Sequence, residues 1–183
     1  NKHNLNSFAS PTPTVDEDRV YVAWSAPEEY SLRAFSHDGQ ELWHADLGPF
    51  ESQHSCGTSP VIFEDLIILG NDQDGPSSLT AVDRNTGKVV WNVPRKNTNV
   101  AYSTPCVYQP DGEAPELIFN SNAHGITAIN PADGATIWEV GSCFDKRSVS
   151  SPVIAGGKIF GSCGSGGGGN YVVAVTPGSQ RDP

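Results

Sequence analysis

The chain has 183 residues, 37% of them hydrophobic, with 19 glycines and 14 prolines, which suits a buried core with many tight turns. A net charge of -10 and a pI near 4.7 exclude nucleic acid as a partner held through its phosphates, and they are the ordinary balance of a periplasmic or secreted protein. No run is apolar enough to cross a membrane as a helix, so membrane association would have to come through regions outside this chain.

The predicted elements are all strands, and they come in fours. Thr12-Pro13-Thr14-Val15 opens a first strand A, DEDRVYVAW follows as strand B, and RAFSHDGQELW reads as a C–D hairpin carrying Ala34, Gly39 and Trp43. Ser59-Pro60-Val61-Ile62, FEDLIILG and LTAVDRNTGKVVW repeat the sentence with Ala81, Gly87 and Trp91. In that last hairpin Asp83 and Thr86 can bond the turn's own amides, and Gly87 supplies the positive φ that the loop needs. Thr104-Pro105-Cys106-Val107, PDGEAPELIF and ITAINPADGATIWEV state it a third time with Ala128, Gly134 and Trp138. Ser151-Pro152-Val153-Ile154, AGGKIF and VVAVTPG begin it again and stop after Ala174.

The alanines recur every 46 or 47 residues and the strand-A prolines every 45 or 47. That period matches a four-stranded propeller blade, and no stretch carries an apolar 3.6-residue period. The fold class is therefore all-β, a β-propeller of antiparallel blades over about 10–47, 57–94, 102–141 and 149–183. A proline at each strand start removes one ladder donor without breaking the strand.

AVDRNTGKVVW and AINPADGATIW resemble the tryptophan-docking repeat of the PQQ-like β-propellers, a BamB-like family that also includes quinoprotein dehydrogenases. The resemblance spans essentially the whole chain, in three full motifs and one partial. It implies that each Trp stacks between the Ala of its own motif and the Gly peptide of the next: Trp43 on Ala34 and near Gly87, Trp91 on Ala81 and near Gly134. It implies little about activity, since catalytic and non-catalytic members share the docking motif. Blade four lacks its strand D and Trp, so the chain is expected to be about half of a seven- or eight-bladed ring. The alternative is a four-bladed ring closed by the polar segment Asn1 to Phe8.

Because strands alternate in direction, the D-to-A and B-to-C loops share one face, and the short A-to-B and C-to-D turns share the other. The first face gathers the longer loops, where binding residues usually sit. Its candidates are His54, Asp72, Asp74, Arg95, Tyr102 and His124. Each has a plainer role available. NDQDG fails as a calcium loop because its first ligand position falls on Gly70 and its last on Ala81, which leaves a carboxylate-capped turn or a partial site at Asp72 and Asp74. His54 and Cys56 match no zinc spacing. Arg95 can pair with Asp72 or Asp74 as a latch, and His124 suits a turn. GSCGSGGGG lacks the Lys-Ser/Thr ending of a phosphate loop and reads as a flexible B-to-C connection.

Among the four cysteines, Cys143 with Cys163 is the expected disulfide, and Cys106 is expected to be a buried thiol. No catalytic residue is identifiable and no metal or cofactor is expected. The chain carries no adjacent cysteines, no CxxCH, no GxSxG and no HExxH. The expected function is a non-catalytic binding or scaffold module for a protein or carbohydrate partner. The alternative, a fragment of a quinoprotein dehydrogenase, would need PQQ with calcium.

Overall fold

Each strand-A proline sets the chain extended, and the alternating residues that follow zip one hairpin onto the next. The computed structural model describes residues 10–97, 99–141, 143–165 and 168–177, which contain strands and turns and no helix. Blade 1 comprises β1 (Thr14–Val15), β2 (Arg19–Ala26), β3 (Glu29–Ser36) and β4 (Glu41–Asp46). Blade 2 comprises β5 (Val61–Phe63), β6 (Leu66–Asn71), β7 (Ser77–Asp83) and β8 (Val89–Arg95). Blade 3 comprises β9 (Cys106–Tyr108), β10 (Glu116–Ser121), β11 (Gly125–Ile129) and β12 (Thr136–Val140), and blade 4 comprises β13 (Val153–Ala155), β14 (Lys158–Cys163) and β15 (Tyr171–Val175). Every sheet runs in chain order with antiparallel neighbours.

The sequence repeat is a repeat of register. One row crosses each sheet: Thr14, Tyr21, Ala34 and Trp43 in blade 1, Val61, Ile68, Ala81 and Trp91 in blade 2, and Cys106, Ile118, Ala128 and Trp138 in blade 3. Blade 4 continues it as Val153, Phe160 and Ala174. In each of the first three blades a register shift follows the alanine, at the point where strand D bends away. The row faces the next blade, and the residues between face the previous one. Tyr21, Ala34 and Trp43 thus pack on Ile67, Leu69 and Val82, while Ile68, Ala81 and Trp91 pack on Leu117, Phe119 and Ile129. Ile118, Ala128 and Trp138 pack on Ile159, Cys163 and Val175.

The C–D turns complete two of these seats. The Trp43 indole N–H donates to the Arg84 carbonyl at 2.9 Å, and a methyl group added at Gly87 would lie 2.8 Å from the ring. Trp91 repeats this on the Pro131 carbonyl at 2.8 Å, with Gly134 beneath the ring. Trp138 instead donates to Glu116 of its own blade at 2.9 Å, and the matching turn of blade 4 runs into residues outside those described. Gly39, the blade 1 counterpart of Gly87, has nothing within 4 Å of an added methyl. Val153 and Val172 on blade 4 are 58% and 66% exposed, and Val15 on blade 1 is 55% exposed. Asn1 to Phe8, the segment considered for ring closure, lies outside the described residues.

Three expectations need correction. Arg95 is the last residue of β8 and buried, not a loop residue. Cys106 is half-buried rather than enclosed. The expected Cys143–Cys163 disulfide is not formed: all four cysteines are free thiols. Both residues pack into the core between blades 3 and 4, but Cys163 belongs to β14, not to the glycine loop, and its thiol points to Asp145 Oδ1 at 3.7 Å.

Candidate functional site

The segment ahead of each strand-A proline leaves the outer strand of one blade and enters the inner strand of the next, so these segments converge. Three residues before Pro13, Pro60, Pro105 and Pro152 stand Ser10, Gly57, Tyr102 and Val149, and all four line one cavity of about 1140 Å³. His54, Asn99 and Asp145 to Arg147 join from the same segments, and the β14–β15 loop contributes Gly164, Ser165 and Asn170. The cavity therefore sits where the D-to-A loops meet.

Tyr102 is fixed from three sides. Its amide donates to the Ser148 carbonyl at 3.0 Å, the His54 ring meets it edge-on at 6.3 Å, and the Arg147 guanidinium lies over the ring at 5.6 Å. A methyl group at Gly57 would stand 2.7 Å from Tyr102 Cδ1, so the ring can rest there only because position 57 lacks a side chain. Burial raises the Tyr102 phenol above its ordinary pKa. Across the cavity, Lys146 Nζ donates to the carbonyls of Gly168 and Gly169 at 2.9 and 3.1 Å and so ties the glycine loop down. The Tyr171 hydroxyl donates to Asp145 Oδ1 at 2.9 Å, and the Asp145 amide donates to the same hydroxyl at 3.1 Å.

Arg95 and Asp72 form a buried two-pronged pair, Nε to Oδ1 and Nη2 to Oδ2, each at 3.1 Å. Arg95 also donates to Ser121 at 2.6 Å and Thr127 at 3.2 Å, so this latch joins blade 2 to blade 3. His124 is a second clip. The Lys96 amide donates to its Nε2 at 3.2 Å, which places the ring proton on Nδ1, 3.0 Å from Glu139 Oε2. Asp74 Oδ1 accepts the Val100 amide at 2.9 Å and braces the segment leading to Tyr102. Asp72 is thus committed to the arginine, whereas Asp74 turns to the backbone. Among the described residues no group of three or more His, Cys, Asp or Glu side chains is placed to hold a metal ion. Burial pushes the Cys56 thiol up to about 11, so at neutral pH it is a protonated packing group.

Of the six candidates read from the sequence, His54 and Tyr102 line the cavity, Arg95, Asp72 and His124 bind blades together, and Asp74 braces a loop. Arg147 and Asn99 were not singled out. Counting back from each strand proline would have found them, because the repeat that aligns the strands also aligns the segments that precede them.

Antiparallel four-stranded sheets stacked face to face, with alternate loops gathered at one cavity, define a β-propeller arrangement of blades. The chain belongs to the PQQ-like repeat family whose profile is described as "Outer membrane protein assembly factor BamB", matched over residues 2–109 and again over 58–181. BamB from Moraxella catarrhalis is similar in structure at 15% identity and a TM-score of 0.61, over 91% of this chain and 46% of that one. The quinohemoprotein alcohol dehydrogenase ADHIIG from Pseudomonas putida HK5 matches at 16% identity and a TM-score of 0.56, over 88% of this chain and 32% of the enzyme. The computationally designed Ika4 protein matches at 11% identity and a TM-score of 0.59, over 90% and 92%. The chain thus spans less than half the length of this BamB and of this dehydrogenase. No curated protein matches the sequence.

Proposed function

We propose that this chain is a non-catalytic binding module of an extracytoplasmic protein and takes a protein partner on the face where the D-to-A loops converge. The observation that carries this reading is the cavity assembled from the same position of four blades. The strands hold those positions in place, while the residues there differ completely: a serine, a glycine, a tyrosine and a valine. At the packing positions the same four blades keep alanine throughout, and the three complete ones keep tryptophan. A rigid frame with variable side chains at one mouth is how repeat scaffolds make a specific surface. The assembly-factor description of the family profile supports a protein partner, and nothing comparable supports a carbohydrate.

The test is retention of a partner from an extracytoplasmic extract on the immobilised chain. Tyr102→Ala and His54→Ala should each abolish retention while leaving the melting temperature within a few degrees. Retention unchanged in both variants would remove the cavity from the binding surface. Uptake of PQQ with calcium and dye-linked alcohol oxidation would replace this reading with the quinoprotein one.

A further inference from the structure

The cavity carries a charge that the rest of the molecule does not suggest. Overall the chain is acidic, at -10, yet the cavity is lined by Lys146 and Arg147 against the single carboxylate of Asp145. Asp145 is already bound by the Tyr171 hydroxyl and the Cys163 thiol, and Lys146 is held by the glycine-loop carbonyls. Arg147 is different. Among the described residues Arg33 pairs with Glu29 and Glu41, Arg84 with Asp16 and Asp65, Arg95 with Asp72, and Arg19 donates to Asn85. Arg147 has no such acceptor among them. Its Nε is sealed from solvent without a hydrogen-bond partner, and its guanidinium rests over Tyr102. The two terminal nitrogens are what remains to meet a ligand.

We infer that Arg147, backed by Tyr102, is a carboxylate-recognition subsite that receives an aspartate or glutamate side chain of a partner's peptide segment. This rests on the protein-binding reading above and names the chemistry that the partner must present. A guanidinium offers a planar pair of donors that matches a carboxylate, and an aromatic face beneath it fixes the plane without neutralising the charge. The space of about 1140 Å³ far exceeds what a small free anion fills, and Tyr102, His54 and Val149 supply apolar and aromatic wall for residues flanking the acid. The partner segment is therefore an acidic residue beside apolar or aromatic ones.

The experiment selects a displayed library of random peptides, about a dozen residues long, on the immobilised chain, and then measures a selected peptide by titration calorimetry. The selected pool should be enriched in Asp and Glu. Binding should weaken at least about tenfold in Arg147→Gln and at high salt, and recover in part in Arg147→Lys. A pool enriched without acidic residues, with Arg147→Gln unchanged, overturns the subsite and leaves the protein-binding reading standing. Inorganic phosphate that displaces the peptide at equal concentration also overturns it, since the site would then be a free-anion site. No enrichment at all overturns both.

Discussion

Gly87 and Gly39 occupy the same position of successive C–D turns, and comparing their replacement by alanine isolates the stacking of the indole from the strain of the turn. Both have positive φ, 73° and 89°, so an added side chain meets a comparable backbone penalty of roughly 1 to 2 kcal/mol at either site. Only Gly87 carries a ring: its new methyl would stand 2.8 Å from Cδ2 and Cε3 of Trp43, whereas the methyl at Gly39 meets nothing within 4 Å. Trp43 cannot retreat freely, because its N–H is bonded to the Arg84 carbonyl and its other face lies in the row with Ala34. Displacing it should cost the further ~1 to 3 kcal/mol typical of overpacking. At about 2 to 4 °C per kcal/mol, Gly87→Ala should melt roughly 2 to 12 °C below Gly39→Ala. Differential scanning calorimetry on the two variants and the wild-type chain measures this, with tryptophan fluorescence as a second probe. Equal melting temperatures would refute the claim that the turn glycine serves as a seat for the indole.

Two other perturbations bear on different parts of the account. Arg95→Ala leaves Asp72 buried without its cation and should cost about 3 to 5 kcal/mol, against less than ~1 kcal/mol for Arg33→Ala at the surface, with part of the loss recovered by adding Asp72→Asn. Similar urea midpoints for the two arginine variants would contradict the latch. Burial holds the Cys56 and Cys106 thiols up to about 11 from 9.0, so above pH 9 the unfolded chain releases those protons before the folded one does. Stability should therefore be unaffected by these groups below pH 9 and fall between pH 9 and 11, by at most about 2 to 3 kcal/mol for each. Cys56→Ala should flatten that slope, and a slope that is unchanged or rises would contradict the burial argument.

The fold was legible because propeller packing writes itself locally. Alternation sets the faces, Gly87 and Gly134 mark turns, and an indole recurring in register with a small residue sets the period. What stayed hidden depended on contacts between blades. Arg95 reads as a loop residue after Pro94, but β8 is the edge strand of its sheet, where a proline is tolerated, and the strand runs on to Arg95. NDQDG reads in isolation as a carboxylate-capped turn or a partial metal site, with no hint of its inter-blade partners. In three dimensions Gln73 is fully buried and bonds Pro49, Asn71 and the Glu51 amide, while Asp72 turns to Arg95. Arg147 and Tyr102 stand at fixed distances ahead of Pro152 and Pro105, but their side chains differ from those at the matching positions of the other blades, so no recurring residue type marked them. Only the convergence of the blades brings them together.

The central claim, that the converging loops and not the outer strands meet the partner, is tested most directly by site-specific photo-crosslinking. A benzophenone side chain placed at Asn99, on the cavity, and at Val90, 51% exposed on the outer strand of blade 2, should behave oppositely. Asn99 is expected to give one discrete protein adduct and Val90 none. An adduct at Val90 with none at Asn99 would contradict the account.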